Sequence, residues 1–132
     1  MDVKLGELER RLGIEILEAS VERVVGRMPV AGNRQTYGRL HGGATMALGE
    51  TLGSLAATLH GAANSKAAVG VDVNTTHHRS VHQGYVTGTA TPLHLGSRLT
   101  THEVALEDDA GRRIATVRIT NMLVTPVEDA DT

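Results

Sequence analysis

The sequence predicts an α+β fold in which one antiparallel sheet wraps around one long central helix. Three observations carry this expectation. Residues 40–59 form an apolar run of about five helical turns, with Glu50 as the single charged residue from Gly42 onward. Alternating or β-branched segments flank the run, two before it and four after it. A length of 132 residues gives room for one domain with a real core and not comfortably for two, so residues 1–132 are expected to form a single domain.

Each element follows in order. Val3, Leu5, Leu8 and Leu12 predict a short amphipathic helix over Asp2 to Leu12, capped by Asp2, closed near Gly13 and serving as a lid over one end of the sheet. Ile14 to Ala19 alternates as a first strand, and Val21 to Pro29 reads as a second with Arg23 and Arg27 facing out. Ala31 to Gly38 is a loop with a turn signal at Gly32-Asn33. The central helix follows His41-Gly42-Gly43, and its Leu, Met and Ala content nearly all round predicts burial. Gly49 and Gly53 lie one turn apart on one face, where each lowers helix propensity; close approach of another backbone is the expected gain. His60 to Ser65 stops the helix. Val69, Val71 and Val73 give a strand with one apolar face that runs on into Thr75–Ser80. Gly84 to Leu93 is a β-branched strand that Pro92 to Gly96 breaks, and Ser97 to Glu107 is the next strand. Asp108 to Gly111 is a hairpin turn before a last strand over Ile114 to Val124. The acidic tail Glu128–Thr132 is expected to fray.

Composition excludes several classes. Net charge is -2 with both signs interspersed, so no basic face suits nucleic acid. Without cysteine there are no disulfides and no thiolate zinc sites. No stretch approaches a membrane span and the N-terminus lacks a signal-peptide run, which makes a cytoplasmic protein the default. There is no Phe or Trp, so the core must be aliphatic, and oligomer burial is one way to make up the missing area.

The central helix also carries the chemistry. A lone carboxylate in an apolar helix is expensive unless it is paired or has a task. Ser54 lies one turn beyond Glu50 and shares its face. The His41-Gly42-Gly43 start leaves free N–H groups at a helix N-terminus, which suits a developing oxyanion. Carboxylate, hydroxyl and oxyanion site together point to acyl transfer or hydrolysis. Gly42 and Glu50 are eight residues apart, about 12 Å along one helix. That is too far to share one carbonyl, so the Gly42 end must meet Glu50 of another chain. A homodimer with antiparallel helices and two composite sites is the consequence. His77, His78 and His82 are too few and too divergent for a metal, since neighbours in a strand point to opposite faces. His94, Gly96, Ser97 and Arg98 form a loop able to meet a phosphate, or else an exposed turn with a solvated arginine.

The run from Gln35 through Leu55 resembles the hotdog-fold acyl-CoA thioesterases, in the branch that includes 4-hydroxybenzoyl-CoA and 1,4-dihydroxy-2-naphthoyl-CoA thioesterases. The spacing from His41-Gly42-Gly43 to Glu50 carries the resemblance, with Asn74–Ser80 and Pro92–Arg98 as further blocks. It implies a single hotdog domain and hydrolysis of an acyl-CoA, with a hydroxylated aroyl group as the first choice and no cofactor. It implies that Gln35 supports the thioester carbonyl, although Thr36 stands where the family commonly has proline. His77 and Arg79 are implied beside the coenzyme A arm, with His94–Arg98 facing its phosphates, and a dimer of dimers is implied. Glu50 is expected to act as nucleophile or as base toward water, and Ser54 to hold the water or the carboxylate. His41 suits positioning of Gln35 and its loop better than proton transfer. Two rivals stand beside this reading: a hotdog hydratase or dehydratase using His41 and Glu50 as acid and base, and a non-catalytic acyl-CoA-binding protein.

Overall fold

The long helix α2 (Gly42–Ala62) is the axis of the molecule. The structure is a computed structural model and describes residues 3–127, so the Asp2 cap and the acidic tail Glu128–Thr132 lie outside it. Before α2 come a short helix α1 (Glu7–Leu12) and strands β1 (Glu15–Ala19) and β2 (Val24–Pro29). After it come β3 (Ala67–His77), β4 (Tyr85–Leu95), β5 (Leu99–Glu107) and β6 (Arg113–Val124). The strands form one sheet in the order β1-β2-β4-β5-β6-β3, with every neighbouring pair antiparallel. α2 packs across β2 to β6, which is the expected wrapped-helix architecture.

The core is aliphatic, as the composition requires. Leu48 and Leu52 of α2 are fully buried with Met28, Val86, Val104, Leu106 and Val117. Gly26 and Gly88 pair across β2 and β4, and a Cβ on either would stand 2.6 Å from a methyl of Leu52. Gly49 and Gly53 of α2 do permit close approach, but toward strand side chains rather than a backbone. A Cβ at Gly49 would meet Val117, and one at Gly53 would run into Ile119.

Several expectations are corrected. α1 begins only at Glu7, with Gly6 as an N-cap that makes no side-chain bond, and it ends at a left-handed Gly13. It packs on α2 rather than over an end of the sheet. α2 continues three residues past Leu59, to Ala62. It is not buried all round, because Glu50 and Thr58 are exposed in the single chain. β4 runs through Pro92 to Leu95 instead of breaking. Pairing with β2 ends at Ala90, and the register with β5 shifts between Pro92 and His94, so the missing N–H falls where the ladder is already irregular. Val69 and Val71 are 45% and 52% exposed, because β3 is an edge strand with a bulge between Gly70 and Asp72. Arg23 sits in a turn, while Arg27 reaches Glu15 at 3.3 Å and stacks 4.3 Å from the Tyr85 ring centre. Among the described residues no helix is long and apolar enough to cross a membrane.

Candidate active site

The start of α2 leaves one backbone donor over. The His41 N–H donates to the Asn33 carbonyl, and the Gly43 N–H donates to His41 Nδ1 at 2.8 Å. The Ala44 and Thr45 N–H groups both donate to the His41 carbonyl. Among the described residues only the Gly42 N–H of this turn has no intramolecular acceptor, and it sits at the positive end of a 21-residue helix. His41 is therefore a helix cap, and its use of Nδ1 as acceptor leaves the ring proton on Nε2. The Gly42 loop is held from below by Asn33, whose side-chain amide donates to the carbonyls of Leu12 and Pro29 at 2.7 and 2.8 Å.

A groove of about 360 Å³ opens beside Gly42, lined by Gln35, Arg39, Thr45, His77 and Arg79 among others. A Cβ on Gly42 would stand 2.9 Å from His77 Nε2, so the imidazole lies directly against the glycine. Gln35 Oε1 accepts from the Tyr37 N–H, which fixes the loop; Tyr37 itself is 86% exposed. His78 also borders the groove, with Nε2 2.9 Å from Thr116 Oγ1. Among the described residues no group of three or more His, Cys, Asp or Glu side chains converges on a point.

Glu50 and Ser54 share a second groove of about 430 Å³ on the open face of α2. Its other wall is the N-terminal segment, with Val3, Lys4, Leu5, Leu8 and Glu9. Nothing in the residue pattern brings that segment here. Ser54 Oγ accepts from Asn121 Nδ2 at 3.1 Å. Glu50 Oε2 lies 3.8 Å from the point where a Cβ on Gly70 would be, and Asn121 Nδ2 lies 3.9 Å from the same point.

The remaining candidates are elsewhere. His41 faces a third groove, bordered by Leu8, Leu12 and Arg34, rather than the one with Gln35. His94 at the end of β4 and Ser97 and Arg98 in the β4–β5 turn are exposed, and the His94 ring folds over Gly96. The Gly96 carbonyl is 2.9 Å from His60 Nε2, so this turn sits at the far end of α2, about 27 Å along the helix from Gly42. Within one chain the His77–Arg79 and His94–Arg98 candidates are thus not brought together. Nor are Gly42 and Glu50.

Beneath the second half of α2 lies a polar cluster that periodicity did not reveal. Thr100, His102 and Asn121 are fully buried on β5 and β6. Thr100 Oγ1, both His102 ring nitrogens and Asn121 Oδ1 have no hydrogen-bond partner among the described residues. Burial pushes the His102 imidazole below its ordinary range, and the nearby His60 charge adds to this. An Asn in line with the apolar inward residues Val117, Ile119 and Leu123 of β6 was the one available signal.

One antiparallel sheet wrapped on one long helix is the hotdog architecture. Residues 37–115 match the thioesterase superfamily model, and the chain belongs to that family of thioester hydrolases. It is 40% identical over 121 residues to the proofreading thioesterase EntH of Cronobacter sakazakii, covering 91% of this chain and 82% of that one. It is 46% identical over 115 residues to a Deinococcus radiodurans protein bearing an esterase name, covering 87% and 72%. The crystal structure of a thioesterase from Haemophilus influenzae superposes with a TM-score of 0.85 at 33% identity, covering 93% of this chain and 86% of that one.

Proposed function

We propose that this thioesterase hydrolyses an acyl-CoA in the cytoplasm, in composite sites at a homodimer interface, with residues 1–132 acting as one domain. The observation that carries the reading is the unpartnered Gly42 N–H beside Gln35 and His77, separated along α2 from the exposed Glu50. Aligning Glu50 of one chain with Gly42 of the other sets the two helices antiparallel. The same alignment carries the partner's His94–Arg98 turn about 15 Å beyond Gly42, on the side of His77 and Arg79. Both coenzyme-facing candidates then flank one coenzyme A arm. The exposed β3 edge, with Val69 and Val71, offers the pairing surface, and two such dimers make the homotetramer that the family resemblance implies.

In this site the thioester oxygen accepts a hydrogen bond from the Gly42 N–H, supported by the Gln35 amide, as it gains negative charge. His41 keeps the turn in place as a cap. The partner's Glu50 either attacks the carbonyl carbon, giving an anhydride that water cleaves, or takes a proton from water as the water attacks. On both routes the C–S bond breaks, coenzyme A leaves as its thiol and the acyl group leaves as the free acid. Ser54 holds the water or the carboxylate. The groove beside Glu50 is small and walled by Leu5, Leu8 and Leu55, which supports a compact acyl group over a long chain. A hydroxyaroyl group such as 1,4-dihydroxy-2-naphthoyl is the reading.

The test is thiol release over a panel of hydroxyaroyl, benzoyl, phenylacetyl and fatty acyl-CoAs. Glu50→Gln removes the carboxylate. Gly42→Pro removes the N–H at a helix position that tolerates proline, and His41 already has the extended backbone that precedes proline; its Cβ also displaces the end of the His77 ring. Each variant alone is expected to be inactive. Mixed in equal amounts and allowed to exchange subunits, they should return roughly a quarter of wild-type turnover, because half the dimers are mixed and one of their two sites is intact. No recovery from a mixture shown to contain mixed dimers refutes the composite site, and full activity of Glu50→Gln refutes the mechanism.

A further inference from the structure

We propose that Asn121 is a positioning residue for hydrolysis, acting through Ser54 on the water or carboxylate at Glu50; this rests on the active site proposed above. The inward positions of β6 are Val117, Ile119, Asn121 and Leu123, all buried. Periodicity calls for an aliphatic residue at 121. An amide there with Oδ1 unpartnered carries the desolvation penalty of a buried polar group, so packing alone does not account for it. Its Nδ2 donates to Ser54 Oγ at 3.1 Å, across the helix–sheet interface. That bond occupies a lone pair of Ser54 and leaves the hydroxyl proton free to turn into the groove that Ser54 shares with Glu50.

Gly70 supplies a second observation. It pairs with Asn121 across β3 and β6. Glu50 Oε2 and Asn121 Nδ2 each lie within 4 Å of the point a side chain on residue 70 would occupy. Carboxylate and amide therefore border one small space that the missing side chain keeps open, and Ser54 is hydrogen-bonded to that amide. Asn121 is fully buried, so it does not touch substrate; it fixes the group that does.

The experiment is a double-mutant cycle on thiol release, reading kcat and KM separately, with Ser54→Ala, Asn121→Ala and the pair. Asn121→Ala is expected to lower kcat about tenfold with KM within about twofold, the loss of one oriented hydrogen bond. The double variant should be no slower than Ser54→Ala alone, because the two act in series. Asn121→Asp keeps the volume of the side chain and removes its N–H donor. Its kcat relative to wild type should recover as the pH falls, when the new carboxyl is protonated and can donate to Ser54. A purely structural role gives a lowered melting temperature, independent losses in the cycle and no such recovery, and overturns the inference. If Asn121→Ala does not fold, the pH profile of Asn121→Asp decides alone. Loss in Ser54→Ala with full activity in Asn121→Ala sinks this inference only. Full activity in Ser54→Ala sinks the Ser54 assignment and this inference together.

Discussion

The spacing between α2 and the sheet is set at Gly49, and Gly49→Ala tests it. The added Cβ would stand 2.6, 2.8 and 2.9 Å from Cγ2, Cβ and Cγ1 of Val117. Carbon atoms prefer about 3.5–4.0 Å, so all three contacts are short by most of an ångström. Val117 cannot swing away, because its β-branched side chain is restricted at χ1 and is fully buried. The helix must therefore lift from β6, and overpacking of this kind costs about 1–3 kcal/mol. Alanine returns up to about 1 kcal/mol as the better helix former. The expected net loss is about 1–2 kcal/mol, or several degrees in melting temperature. In a Val117→Ala background two of the three contacts vanish and the helix can settle into the vacated volume. There Gly49→Ala should become nearly neutral, a coupling of about 1–2 kcal/mol. Urea unfolding of the four proteins measures it. Effects that add to within about 0.5 kcal/mol would refute the argument.

Two further outcomes follow from the same structure. His102 is held neutral by burial and by His60, so below about pH 6.5 the unfolded chain takes up a proton that the native imidazole does not. Stability should then fall with falling pH by up to about 1.4 kcal/mol per unit, and His102→Leu should flatten that slope below about pH 6.5 in urea titrations. Equal slopes in the two proteins would show that His102 is not the group responsible. Val71→Lys places a charge on the exposed β3 edge and should convert the proposed dimer to monomer in sedimentation, with thiol release lost in parallel; an active monomer would remove the case for composite sites.

Local chemistry made much of the fold legible. The His41-Gly42-Gly43 start, the apolar body of α2 and the four strands after it all follow from capping, periodicity and β-branched content. The errors lie where tertiary context overrides these signals. Val3 and Leu5 have helical spacing, but they lie outside α1 and line the Glu50 groove instead. Pro92 is a strand breaker in general, yet it is tolerated here because β2 pairing has ended and the β5 register slips beside it. Strand order was not legible at all. Without it, nothing in Val69, Val71 and Val73 says that β3 is an edge, and their alternation reads like that of a half-buried central strand.

The active site shows the same division between local and assembled information. The Gly42 donor could be read from the helix start alone, because it depends only on which N–H groups the first turn leaves over. Asn121 could not, because its role depends on β6 passing beneath Ser54 and beside Gly70, a contact between residues 67 positions apart. Glu50 lies between these cases. An apolar helix with one carboxylate reads as buried, yet in the single chain Glu50 and Thr58 are exposed and Ala47, Thr51, Ser54 and Leu55 are only half covered. This strip runs along one face of α2 at i, i+3, i+4 and i+7 spacing, opposite the face that packs on Val117 and Ile119. Composition therefore describes a helix with two covered faces, and the single chain covers one. Under the proposed dimer the second cover is the partner's helix, and the lone carboxylate in the uncovered strip is the group that must reach across it. The burial read from the sequence and the exposure seen in the chain are then the same fact at two levels of assembly.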